Sequence, residues 1–207
     1  MKKYLIILIF VPFVETCIGQ NNVGSENSQL VGAPCEGCEA VFEYGDKNFK
    51  PVDTLPDYEK YDPKLKVTGV IYQSDGKTPA KDVILYLYHT NPEGKYPKKG
   101  DETGWARRHG YVRGWIKTGK DGEYTFYTHM PGSYGSNPAH LHPTILEPDG
   151  KYYYIDEYHF KSDPLLSENK NFPHRGGDGV VTLQKAEGGG FLVERDIILG
   201  LNVPDYN

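Results

Sequence analysis

The residues best suited to chemistry are a pair of histidines, His140-Leu141-His142. Alternation along a strand sends His140 and His142 to the same face, within reach of one metal ion. Imidazole is the commonest transition-metal ligand near neutral pH, although two surface histidines at the same spacing would read identically. Pro143 follows and removes a backbone donor, which predicts an edge strand or a bulge. A second motif is Cys35-Glu36-Gly37-Cys38. It fits a redox dithiol or half of a zinc site. Zinc would need two further ligands, and no second cysteine pair exists among the 3 Cys of the chain. A local Cys35–Cys38 disulfide is the preferred reading for an exported protein.

These motifs need a scaffold, and the composition indicates which kind. The chain has 207 residues with 17 Tyr, 24 Gly, 15 Pro and only 2 Met, a balance that favours strands and turns over helices. Its length suits one domain of ordinary size plus a leader. A formal net charge of -5 argues against a nucleic-acid partner, which would need a basic face. Residues 1–17 read as a signal peptide: a basic Met1-Lys2-Lys3 start, an apolar run, then Cys17 as a candidate lipidation site. Ordinary cleavage a few residues later is the alternative. Both imply export, either as a membrane-anchored lipoprotein or as a periplasmic or secreted protein, with membrane contact only through the lipid. Residues 18–63 read as a flexible tether and N-terminal arm. Residues 64–207 form the body. Apolar alternation over 65–72 and 140–146, an apolar run over 83–88 and turn signals about every ten residues predict an all-β antiparallel sandwich with few or no helices. Asp121-Gly122 predicts a hairpin joining 113–118 to 124–130. The Gly- and charge-rich segment 92–112 reads as a functional loop.

Several of these segments occur together in one family. Residues 64–199 resemble the intradiol ring-cleavage dioxygenases, the catechol and protocatechuate dioxygenases. The likeness rests on Gly94-Lys95-Tyr96, the run from Thr118 to Phe126, Pro131-Gly132-Ser133-Tyr134, Pro138-Ala139-His140-Leu141-His142, Asp163-Pro164 and the closing Arg195-Asp196-Ile197-Ile198-Leu199. In a tyrosine-rich chain, residue type alone would not single out Tyr96 and Tyr134. The resemblance implies that Tyr96, Tyr134, His140 and His142 ligate a non-haem Fe(3+), with Tyr134 as the catalytic proton acceptor. The substrates would be O2 and a small catecholic molecule, cleaved between its hydroxyl-bearing carbons. The donor set suits that ion: phenolate is a hard anionic donor, and two phenolates with two neutral imidazoles leave trivalent iron a single net positive charge. Zinc and ferrous sites favour Cys, His and carboxylate instead.

The resemblance also marks departures, all in the substrate pocket. Asn137 stands where the family carries arginine, Glu157 where it commonly has glutamine, and Tyr88-His89 where it has Trp-Gln. Arg107, Arg108 and Arg113 could supply the missing charge, with solvated surface preferred for Arg107 and Arg108. His109 and His129 read as ordinary histidines. Two other readings stay open: a non-catalytic exported β-sandwich binding module with a vestigial or structural metal site, and copper held by His140 and His142.

Overall fold

The computed structural model describes residues 27–167 and 173–207. The leader and Cys17 lie outside the described residues. Two sheets pack face to face around one core, as expected of a β-sandwich. The first sheet runs β1 (Gln29–Leu30), β8 (Lys151–Tyr154), β7 (His140–Leu146), β4 (Ile84–Tyr88), β5 (Arg113–Lys117), with β9 (Tyr158–Phe160) and β10 (Val180–Val181) continuing beside β7. The second runs β11 (Gln184–Lys185), β12 (Phe191–Glu194), β3 (Lys64–Tyr72), β6 (Glu123–His129), β2 (Val52–Thr54), with β13 (Ile197–Ile198) on β3.

Period-two patterning puts each strand in place. Leu65, Val67 and Ile71 of β3 and Tyr124 and Phe126 of β6 point inward and are fully buried, with Val67 opposite Phe126. Opposite Tyr124 lies Gly69, where a Cβ would collide with the carbonyl of Arg195. The Tyr124 hydroxyl donates to that carbonyl at 2.6 Å and pairs with the Tyr158 hydroxyl at 2.8 Å, so the buried phenol is satisfied.

The apolar run of β4 is buried on both faces. Leu85 and Leu87 enter the sandwich core, while Ile84 and Tyr86 join an outer cluster with Ala40, Val41, Trp115 and Leu146. A short 3-10 turn, Cys38–Phe42, covers that outer face. Residues 27–63, which the composition reads as tether and arm, thus supply β1 to one sheet, β2 to the other and a cover for the first.

Two expectations need correction. Asp121-Gly122 does make a turn, with the Gly122 N–H donating to the Gly119 carbonyl at 3.1 Å, but the flanking strands do not pair. β5 pairs with β4 and β6 with β3, so the turn crosses between layers. Pro143 is not on an edge strand: β7 is flanked by β4 on one side and by β9 and β8 on the other. The other alternative, a bulge, holds: β9 ends opposite Leu141 and β8 begins opposite Thr144, so residues 155–157 face only His142 and Pro143. A residue with no N–H disturbs the ladder least at such a break.

Candidate metal centre

The outer face of the first sheet carries the chemistry. His140 and His142 project from it together, their Nε2 atoms 2.9 Å apart. Two turns bring tyrosines to the same point. The first leaves β4 through Asn91, whose side chain accepts from the Lys95 N–H at 2.9 Å, and delivers Tyr96. The second follows β6 and delivers Tyr134, which closes a turn on Asn137, the Asn137 N–H donating to the Tyr134 carbonyl at 2.9 Å. The turns are bonded to each other: the Gly132 N–H donates to the Asn91 carbonyl at 2.9 Å, and the Thr90 hydroxyl to the Gly132 carbonyl at 2.8 Å. A Cβ on Gly132 would run into the Pro92 carbonyl, so this close approach requires glycine.

The four donor atoms form a closed ring. Tyr96 Oη lies 2.8 Å from His142 Nε2 and 3.3 Å from Tyr134 Oη, and Tyr134 Oη lies 3.4 Å from His140 Nε2. With metal–ligand bonds of about 2.0–2.1 Å, such separations correspond to ligand–metal–ligand angles of about 85–115°.

Tautomers support the fit. His140 Nδ1 lies 2.6 Å from the Pro138 carbonyl and His142 Nδ1 lies 2.9 Å from Glu157 Oε1. Carbonyl and carboxylate only accept, so each Nδ1 carries a proton, and in the neutral rings both Nε2 lone pairs face the tyrosine oxygens. Two such lone pairs 2.9 Å apart repel unless a proton or a shared cation lies between them. Burial, reinforced by His142, lowers the His140 pKa to about 4, which keeps it neutral. Burial and the neighbouring Tyr134 push the Tyr96 phenol up, so only a strong Lewis acid would ionise it at neutral pH. The residues therefore fit a hard trivalent ion.

A cleft of about 430 Å³ opens over these donors, lined by Tyr88, Tyr96, Tyr134 and His142 together with Trp105 and the cations Lys98, Arg107 and Arg108. The last two are exposed, as expected of solvated surface, and also rim the cleft, where Arg108 pairs with Glu36. Arg113 pairs instead with Glu43 at 2.6 Å. The helix α1 (Ala106–His109) carries His109, which stacks on Tyr88 at 3.8 Å between ring centroids. Cys35 and Cys38 are joined as a disulfide beside the site.

Of the pocket candidates, Tyr88 stacks on His142 at 4.4 Å and Glu157 bonds it. His89 and Asn137 lie elsewhere. His89 follows Tyr88 in β-alternation and so faces the core, fully buried, its ring nitrogens 2.7 Å from the Thr90 carbonyl and from the Thr128 hydroxyl. Asn137 is exposed in the Tyr134 turn and does not line the cleft.

His159 was not anticipated. His140, Glu157 and His159 offer ligand atoms within 4.8 Å of one another. Both Glu157 oxygens, however, already accept from rings, Oε1 from His142 and Oε2 from His159 at 3.1 Å. The tyrosine-containing ring is the better-formed centre. Burial pushes the Glu157 carboxyl up, but hydrogen bonds from His142 and His159 outweigh that and hold it below the usual carboxylate range.

No protein-family model matches the chain. Its sequence is 31% identical over 120 residues to catechol 1,2-dioxygenase 1 of Acinetobacter lwoffii, an alignment that spans 49% of this chain and 37% of that enzyme. The dioxygenase domain of a dioxygenase–carbohydrate-binding fusion from Streptomyces sp. SirexAA-E superposes with a TM-score of 0.59 at 23% identity, covering 83% of this chain and 98% of that one. Catechol 1,2-dioxygenase from Pseudomonas arvilla C-1 gives 0.54 at 19% identity, over 72% of this chain and 56% of that enzyme. In fold the chain matches these solved dioxygenase structures, and in sequence it resembles catechol 1,2-dioxygenase over about half its length, an alignment that takes in little more than a third of that enzyme.

Proposed function

We propose that this chain is a non-haem Fe(3+) dioxygenase that cleaves a catecholic ring between its two hydroxyl-bearing carbons, inserting both atoms of O2 and giving a diacid of the cis,cis-muconate type. The observation that carries this reading is the convergence of two phenol oxygens and two imidazole nitrogens at spacings of 2.8–3.4 Å. Bound there, ferric iron would supply a Lewis acid and a template for a chelating catecholate.

The protein's own groups do the rest. His140 and His142 serve as neutral donors whose orientation is locked through Nδ1. Tyr96 and Tyr134 would hold such an ion through their phenol oxygens. Tyr134 stands on the cleft wall, where its Oη is placed to take a proton from a substrate hydroxyl. Tyr88 and Trp105 provide flat apolar walls for an aromatic ring, and Lys98 and Arg107 add positive charge at the mouth, where Arg108 is paired with Glu36.

We also infer export, with Cys17 as the site of a lipid anchor. Support comes from the basic start, the apolar run before Cys17, and the Cys35–Cys38 disulfide, which suits an oxidising compartment.

Oxygen uptake with a panel of catechols tests the activity. The iron-loaded protein is expected to consume one O2 per ring cleaved, and Tyr96→Phe to lose both iron and turnover. A folded, iron-loaded protein inert toward the whole panel would favour the binding-module reading.

A further inference from the structure

The metal-centre ring leaves one charged group unexplained. Glu157 lies between β8 and β9, and β9 runs antiparallel to β7 with His140 opposite His159 and Leu141 opposite Tyr158. Continuing that register sets Glu157 beside His142, so Glu157-x-His159 faces His140-x-His142 across the two strands. Glu157 Oε1 accepts from His142 Nδ1 at 2.9 Å, and Oε2 accepts from His159 Nε2 at 3.1 Å. Oε1 lies 3.9 Å from His140 Nε2, too far for a hydrogen bond. His159 is buried, which fixes the far side of the carboxylate.

The His142 ring is held from two directions. Its plane is set by Tyr88, stacked at 4.4 Å and 12°. Tyr88 is itself backed by His109 at 3.8 Å and 5°, and His109 Nδ1 lies 2.9 Å from the Tyr86 hydroxyl. Stacking restrains tilt but not rotation within the plane, nor which nitrogen bears the proton. Glu157 restrains both. Its oxygen lies on the Nδ1 side, so the Nε2 lone pair is aimed at the ring of donors.

Resting on the ferric-centre reading above, we propose that Glu157 is a positioning residue, oriented by His159, that locks the His142 tautomer and makes this imidazole a stronger donor. A carboxylate acceptor shifts electron density through the imidazole toward the opposite nitrogen, and a neutral amide does so less. Outer-shell partners of this kind typically change metal affinity by about 10–100-fold. The carboxylate thus gives His142 added donor strength that His140, bonded to the neutral Pro138 carbonyl, does not receive. The two imidazoles are inequivalent.

Three proteins test this: wild type, Glu157→Gln and Glu157→Leu. Nitrogen NMR of the metal-free proteins reads the His142 tautomer, and titration with ferric citrate reads affinity and the tyrosinate-to-iron absorption band. In wild type the Nδ1–H form is expected alone, and Glu157→Leu should mix tautomers and weaken ferric binding about 10–100-fold. Glu157→Gln, whose amide oxygen can still accept from His142 while its –NH2 bonds His159 in the Nδ1–H form, should restore most of the affinity. Its band should move to longer wavelength, because a weaker donor leaves the ion more electron-poor. An unchanged tautomer and affinity in Glu157→Leu would overturn the proposal, as would weakened binding with no change in tautomer or band, which is all that a merely structural role requires. Wild type that neither binds ferric iron nor develops a band would defeat the ferric-centre reading instead, while the tautomer measurement would still decide what Glu157 does.

Discussion

Asp163 ties together the two segments that carry Tyr134 and His140, and removing it gives a quantitative test of how the proposed centre is built. The residue sits just past β9, and its Oδ2 accepts from the Ala139 N–H at 2.8 Å and from the Ser133 hydroxyl at 3.3 Å. Ser133 precedes Tyr134 and Ala139 precedes His140, so one carboxylate oxygen holds the approach to both ligands. Oδ1 accepts from the Leu165 N–H at 2.8 Å. A hydrogen bond to a charged group contributes about 1.5–3 kcal/mol, and a buried donor left unpaired costs about 1–3 kcal/mol. Ala139 is 5% exposed, whereas Ser133 and Leu165 are in water and can rebond there. Only the Ala139 bond therefore carries its full cost, and Asp163→Ala should lose about 2–3 kcal/mol in urea unfolding. Asp163→Asn, which keeps an acceptor without the charge, should lose about half as much. Ferric affinity should fall in the alanine variant because Tyr134 and His140 are no longer held in register. Unfolding of Asp163→Ala at the wild-type urea midpoint, with unchanged iron binding, would refute the argument.

Other consequences concern the core and the disulfide loop. Burial, with His129 adding to it, lowers the His89 pKa to about 3, while unfolded histidine titrates near 6.5. The unfolded chain therefore binds the extra proton first, so this contribution is intact above about pH 6.5 and declines as the pH falls toward 3, by up to about 4–5 kcal/mol. Urea unfolding at pH 7.5 and 4.5 should show a smaller acid loss in His89→Gln than in wild type, and equal losses would contradict the assignment. The Cys35–Cys38 bond closes a loop with a separation of 3 residues. Chain entropy puts its contribution at about 2 kcal/mol, so the Cys35→Ser, Cys38→Ser double variant should lower the urea midpoint accordingly. No change would mean that the 3-10 turn holds the loop unaided.

What was legible in the sequence follows from the range of each signal. His-x-His was readable because strand alternation is local, and β4 was readable because a strand covered on both faces is apolar throughout. Asp121-Gly122 was readable as a turn, but turn chemistry does not say whether the next strand joins the same sheet. Pro143 implied an interrupted ladder, yet the interruption is a change of neighbour in a central strand, which depends on residues 155–157. The same local alternation that paired His140 with His142 should have turned His89 away from Tyr88. Among 17 tyrosines, Tyr96 and Tyr134 stood out only through resemblance, because turns far apart in the chain bring them together. Glu157 and His159 carried a usable signal, a second period-two pair facing the first, but it becomes visible only once β7 and β9 are known to be partners. The packing of residues 27–63 had no local signature, since a polar segment with scattered apolar residues reads as an arm until the surface it covers is known.

The proposed activity requires that Tyr96, Tyr134, His140 and His142 share one ferric ion. Loading the purified chain with ferric iron while recording metal content and visible absorption tests it most directly. One ion per chain with a red-brown tyrosinate-to-iron band is expected, and loss of both in Tyr96→Phe and in His142→Ala while the sandwich stays folded. A loaded protein without colour, or iron retained at full stoichiometry in both variants, would contradict it.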